Sequence, residues 1–88
     1  MIHLLHDLNR SGVEFLITDL QVASTFMEVA EASRLEETKY RNHQNARHAY
    51  DSVVVFLQKL AINSRERQTI EANLALLKAR LEAAGEQF

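Results

Sequence analysis

Residues 41–57 read RNHQNARHAYDSVVVFL, crowded with donors in the first half and wholly apolar at the end. Arg41, Asn42, Asn45, Arg47 and Tyr50 can all donate hydrogen bonds, and a guanidinium fork fits carboxylate or phosphate oxygens particularly well. Asp19 is the natural counter-charge, because it interrupts an otherwise apolar arc of the preceding helix, where a carboxylate needs a partner. If the two helices pair antiparallel about Ser33, Asp19 falls level with Arg47, near Asn45, His48 and Tyr50. Such a cluster does one of two things: it lines a pocket for a small anionic ligand or RNA, or it specifies helix pairing. Asn42 favours the second, since an asparagine on a core seam sets register or oligomeric state at some cost in stability.

Other chemistry finds less support. His3, His6 and Asp7 have a spacing that a helix could turn toward a metal, but no closing ligand is evident elsewhere. His43 and His48 are five apart and do not share a helix face. There is no glycine loop to cradle phosphate, no nucleophile with a base beside it and no Glu-x-x-His pattern. The expectation is a protein without enzymatic activity, cofactor or metal. Arg34, Lys39, Arg41 and Arg47 bias this region positively, but Glu36, Glu37 and Asp51 offset them, with Glu37–Arg41 and Arg47–Asp51 spaced for ion pairs along a helix. Only Tyr40 stands among these basic residues, not the run of interleaved aromatics that a single-strand binder would need, which argues against nucleic acid.

The elements that must position these residues are helical. The 88 residues contain no proline, two glycines and no cysteine, with 10 Lys and Arg against 12 Asp and Glu, a formal net charge of −2. A chain this short forms one domain with a modest core, so packing against another chain would add useful stability. Without cysteine, disulfides and thiolate chemistry are excluded. The start, MIHLLHDLNR, lacks the basic region and long apolar run of a signal peptide, and no apolar run approaches the ~20 residues of a membrane span. The expected location is cytoplasmic.

Three capping boxes divide the chain: Ser11-Gly-Val-Glu14, Ser33-Arg-Leu-Glu36 and Asn63-Ser-Arg-Glu66. In each, the first side chain accepts from an unpaired amide of the first turn and the acid reaches back. They predict helices near 12–31, 34–61 and 64–84, with residues 1–10 as a short extension that either adds a turn packed through Ile2, Leu5 and Leu8 or frays. Gly85 suits the left-handed position just past the last helix. The expected fold is all-α, a three-helix up-down-up bundle.

The apolar faces then raise the question of a partner. In the third helix Ile70, Leu74, Leu77, Leu81 and Ala84 form a single stripe. In the second, the stripe runs Leu35, Thr38, Asn42, Ala46, Ala49, Val53, Phe56 or Leu57, and Leu60. The first helix has two faces: Val13, Leu16, Ile17, Leu20, Ala23 and Met27 on one, Phe15, Val22, Phe26 and Val29 on another. A three-helix bundle occupies only one of them. Either residues 1–10 fold back over the second face or another chain covers it. A second copy, as a dimer, is the expected occupant, with another helical protein as the alternative.

TFMEVAEAS, residues 25–33, and RNHQNARHAYDSVVVFL resemble a group of short, uncharacterised bacterial all-helical proteins. These carry T-F-L-x-I-A-x-T followed by R-N-x-x-N-A-x-x-A-Y-D-T-V. A third helix like IEANLALLKARLEAAGE, residues 70–86, completes the resemblance, which spans residues 16–86 and centres on Arg41, Asn42, Asn45, Ala46, Ala49, Tyr50, Asp51 and Val53. This chain has Ser52 where the group usually has Thr, and Gln58 where it often has Pro. The resemblance implies a helical fold and no particular activity. AYDSVVVFLQKLAIN, residues 49–63, is also similar to the second helix of one tetratricopeptide unit, which implies helical-hairpin packing and a protein-binding role. The function expected from all this is a small protein-interaction or assembly module.

Overall fold

A computed structural model describes residues 2–88, with side chains from Ser11 onward. Three helices follow one another: α1 (Ile2–Ala32), α2 (Glu36–Leu57) and α3 (Ser64–Ala83). They form an up-down-up bundle with no strand among the described residues, and the extents are 51 × 17 × 16 Å. No helix among the described residues is long and apolar enough to cross a membrane.

The first boundary differs from expectation. α1 starts at Ile2 and runs straight through Ser11-Gly12, so Ser11 is interior to a helix and caps nothing. Extending an existing helix fixes one residue per new hydrogen bond, whereas a fresh start at Ser11 would require a second, costly nucleus. Residues 2–10 therefore continue the rod and do not fold back along α1. The packing suggested for Ile2, Leu5 and Leu8 lies outside the described side chains. Gly12 has a different purpose. A Cβ at this position would lie 2.8 Å from Leu60 Cδ2, so the absent side chain lets the α2–α3 connection close against α1.

The second boundary falls where expected but is built differently. Ser33 does not form a box with Glu36; its Oγ accepts from the Leu35 amide at 3.2 Å, a tight local turn. Leu35, extended at φ −93° and ψ 120°, is the N-cap of α2, and its carbonyl accepts from Lys39 N at 3.0 Å. Placed in the connection, Leu35 is 69% exposed and not part of the core stripe. Glu36 and Glu37 occupy the first turn, where the helix dipole favours negative charge. α2 ends at Leu57 and not near residue 61, tapering through a tight turn in which Lys59 N donates to Phe56 O.

The third box forms as the sequence predicts. Asn63 Oδ1 accepts from Glu66 N at 2.8 Å, and Glu66 Oε1 accepts from Asn63 N at 3.4 Å. Gly85 sits at φ +99°, and the amides of Gly85 and Glu86 return to the carbonyls of Glu82 and Leu81. This double closure turns the chain back on itself after α3.

The core joins one stripe from each helix: Val13, Leu16, Leu20, Ala23 and Met27; Ala46, Val53 and Leu57; and Ile70, Leu74, Leu77 and Leu81. Leu60 and Ile62 close its lower end. Besides Leu35, the expected Thr38, Asn42, Ile17 and Ala84 fall outside it, and of the alternatives Phe56 and Leu57 it is Leu57 that enters. Ile17 is 38% exposed toward the gap between α1 and α3, Phe56 is turned outward, and Ala84 is exposed at the C-cap. The α1–α2 interface is by far the most extensive of the three.

Because the Asn63 box satisfies two amides at once, Asn63→Ala should lower stability by about 1 kcal/mol in urea denaturation. Ser11→Ala should change it by only a few tenths, since a helix-interior serine at the surface caps nothing.

Candidate functional site

The α1–α2 register decides which polar residues meet. Phe15 stacks edge-on against Phe56 with centroids 6.1 Å apart, and Gly12 touches Leu60. Asp19 consequently lies beside Asn45 and His48, two of its four expected neighbours, and beside Ser52, but does not share this groove with Arg47 or Tyr50. The expected register assumed a pivot at Ser33. The helical N-terminus is at Leu35, and moving the pivot by about two residues moves the partner of any α1 residue by about twice that. With Val22, Phe26 and Ala49 as its floor, this polar rim encloses a shallow groove of about 360 Å³. Asp19 is half-buried there and makes no hydrogen bond or ion pair among the described residues.

The other expected ligand residues are distributed over different faces. Arg41 is exposed, and its Nη2 donates to Glu37 at 3.0 Å. Asn42 is half-buried, and its amide donates to Thr38 O, one turn back in the same helix, at 2.8 Å. Among the described residues it makes no hydrogen bond to another helix. Asn45 is exposed on the rim of the α1–α2 groove. Arg47 and Tyr50 point the other way, toward the turn after α3.

There the structure assembles a clamp that spacing alone did not indicate. Arg47 Nε donates to both carboxylate oxygens of Asp51, at 3.1 and 3.3 Å. Its Nη1 donates to Glu86 Oε1 at 3.2 Å and to the Gln87 carbonyl at 2.7 Å. The guanidinium carbon lies 3.8 Å from the centroid of the Phe88 ring. Tyr50 meets the same ring edge-on with centroids 5.0 Å apart, and Lys78 Nζ lies 5.3 Å above it. Lys78, Glu86 and Phe88 are the residues that the sequence analysis missed. Their only sequence signal was Gly85, which marked a chain reversal without saying where the reversed chain would land.

The expected interface residues remain largely uncovered. Phe15, Val22 and Val29 are 54%, 43% and 44% exposed. Phe26 differs, being half-buried and packed against the core. Phe56, 45% exposed beside Phe15, extends the apolar surface onto α2. A second groove of about 570 Å³ lies between α1 and α3, with Ile17, Leu20 and Leu76 among its lining. At its end Arg80 makes a two-pronged ion pair with Glu31, at 2.7 and 3.2 Å. The Arg80 hydrogen bond holds the Glu31 carboxyl below its usual value, while Glu31 pushes Arg80 up.

Among the described residues no three His, Cys, Asp or Glu side chains gather as a metal site; His3, His6 and Asp7 lie outside the described side chains. Comparison with models of known protein families, with curated protein sequences and with solved structures returns no match to this chain.

Two outcomes follow from these contacts. Asn42→Leu should raise stability by about 1 kcal/mol in urea denaturation, because the Thr38 carbonyl keeps its helical bond and no buried partner is orphaned. A comparable loss would reveal a partner for Asn42 beyond its own helix. Glu31→Gln should cost less than about 1 kcal/mol at pH 7, as for an exposed pair. Since the folded-state pKa of Glu31 is depressed, that difference is present above the unfolded value of about 4.3 and is lost as pH falls through the folded value. Wild type and Glu31→Gln should therefore converge in thermal stability in acid.

Proposed function

We propose that this protein is a small helical assembly module that pairs with a second copy of itself through the outer face of α1. The observation that carries this reading is the row Phe15, Val22 and Val29, apolar residues at seven-residue intervals, each at least 43% exposed on the longest helix. Seven-residue spacing keeps a row along one face of a helix, as in paired coils. Residues 2–10 continue α1, so the chain's own amino-terminal segment does not cover that row.

The choice of a second copy rests on the symmetry of the row. Two α1 helices placed antiparallel about Val22 set Phe15 of each against Val29 of the other, so one surface serves both partners. Phe56 broadens each end of the contact, and Phe26 supports it from beneath. The resemblance to short bacterial helical proteins is compatible with such a module and supplies no activity. Binding of a small anion or RNA through the polar half of α2 is the second reading. It is weaker because Arg41 and Arg47 direct their charge to Glu37, Asp51 and Glu86.

Light scattering over a concentration series tests the proposal. Wild type should reach twice the monomer mass, and Val22→Glu should shift the dissociation constant upward by about a hundredfold or more, because a carboxylate at the two-fold axis is buried beside its own copy. Val22 is a better probe than Phe26, whose replacement by a charge would also disturb the core. A wild-type monomer at every concentration, or a dimer indifferent to Val22→Glu, would overturn the assignment.

A further inference from the structure

The Arg47 cluster is more specific than a fastening for residues 86–88 requires. One guanidinium serves a carboxylate, a backbone carbonyl and an aromatic face at once, with Tyr50 and Lys78 completing the walls around the Phe88 ring. This is the composition of a recognition site: a charged fork for an acid, a carbonyl contact that reads extended backbone, and a cationic and aromatic cage for a ring. Its present occupant shows which chemistry fits, namely a carboxylate two residues before an aromatic side chain.

That occupant is incompletely seated. The Phe88 ring is 46% exposed, while the Arg47 side chain beneath it is only 22% exposed. Residues 86–88 follow the left-handed Gly85 turn, and past Glu86 the Gln87 carbonyl accepts from Arg47 Nη1. The walls of the clamp thus belong to the rigid helices α2 and α3, and the ligand to a short segment held at a few points.

We propose that Arg47, Tyr50 and Lys78 form a docking site for a protein segment with a Glu-x-Phe pattern, which residues 86–88 fill in the isolated chain and which a partner carrying the same pattern takes over by displacing them. Arg47 is oriented for this in advance by Asp51, which holds Nε and leaves Nη1 directed at the ligand. The tail acts as an intramolecular competitor: the apparent affinity for an incoming segment is reduced by the fraction of molecules whose site is already filled. The site lies on the side of α2 away from the α1–α2 groove, so it does not depend on self-association through α1.

The test is titration of a synthetic peptide, acetyl-Ala-Gly-Glu-Gln-Phe-amide, isotope-labelled at its phenylalanine and followed through that ring's resonances by NMR. The proteins are wild type, a Glu86→Ala/Phe88→Ala variant with its own tail disabled, and that variant with Arg47→Ala or Tyr50→Leu added. The tail-disabled protein should bind at least about threefold more tightly than wild type. Adding either clamp substitution should weaken binding about tenfold or more. Circular dichroism establishes that each variant retains its helices, and two clamp variants guard against one failing to fold. Equal affinity for wild type and the tail-disabled protein, binding that survives both clamp substitutions, or no binding to the tail-disabled protein would each overturn the proposal. Mass by light scattering in the same samples separates this outcome from that of the α1 interface, which these substitutions leave intact.

Discussion

Everything in this bundle depends on the register between α1 and α2. It is set at one end by the turn of Ser33 onto the Leu35 amide and at the other by Leu60 seated over Gly12. Between these points Leu16, Leu20, Ala23 and Met27 meet Ala46, Val53 and Leu57, and the small residues let the helices approach closely. Glycine within a helix costs about 0.5–1 kcal/mol relative to alanine, so its presence in α1 is explained by this close approach. A slip of even one residue would rotate the stripes out of contact and move each polar residue to a different neighbour.

With that register in place, α3 is left a secondary role. It lays one leucine stripe into the α1–α2 seam and is tied twice at its C-terminal end, by Arg80 to Glu31 and by the returning chain to Arg47. These ties are exposed or half-exposed, where ion pairs contribute little each, so their value lies in orientation more than in stability. The same geometry leaves Phe15, Val22 and Val29 of α1 only partly covered by α2 and α3. In a monomer that row is a standing cost in hydration, and association through it removes the cost.

The polar half of α2 is divided by helical geometry. A residue every 100° means that Asn45, His48 and Ser52 face α1 while Arg47, Tyr50 and Asp51 face the turn after α3. One stretch of sequence therefore furnishes two unrelated surfaces, one a shallow groove and the other a clamp. Asn42 belongs to neither, since its amide returns to its own helix.

Local chemistry settled much of the architecture in advance. The Asn63 box, the left-handed Gly85 and the leucine stripe of the last helix each depend on residues within a few positions, so sequence determines them directly. The two apolar faces of α1 were legible for the same reason, because periodicity is a local property. Ser11 and Ser33 show the limit: a capping pattern permits a helix start but does not compel one when the preceding chain is already helical or the turn closes differently. Asp19 does meet Asn45 and His48, but its expected level with Arg47 was misplaced because register compounds small errors, and two residues in a connection become about four across the hairpin. No local signal joins Arg47 to Glu86 and Phe88, some forty positions apart. Sequence determined which helices form and which faces are apolar, whereas the clamp exists only because tertiary packing sets α2 beside α3 and aims the reversed chain at Arg47.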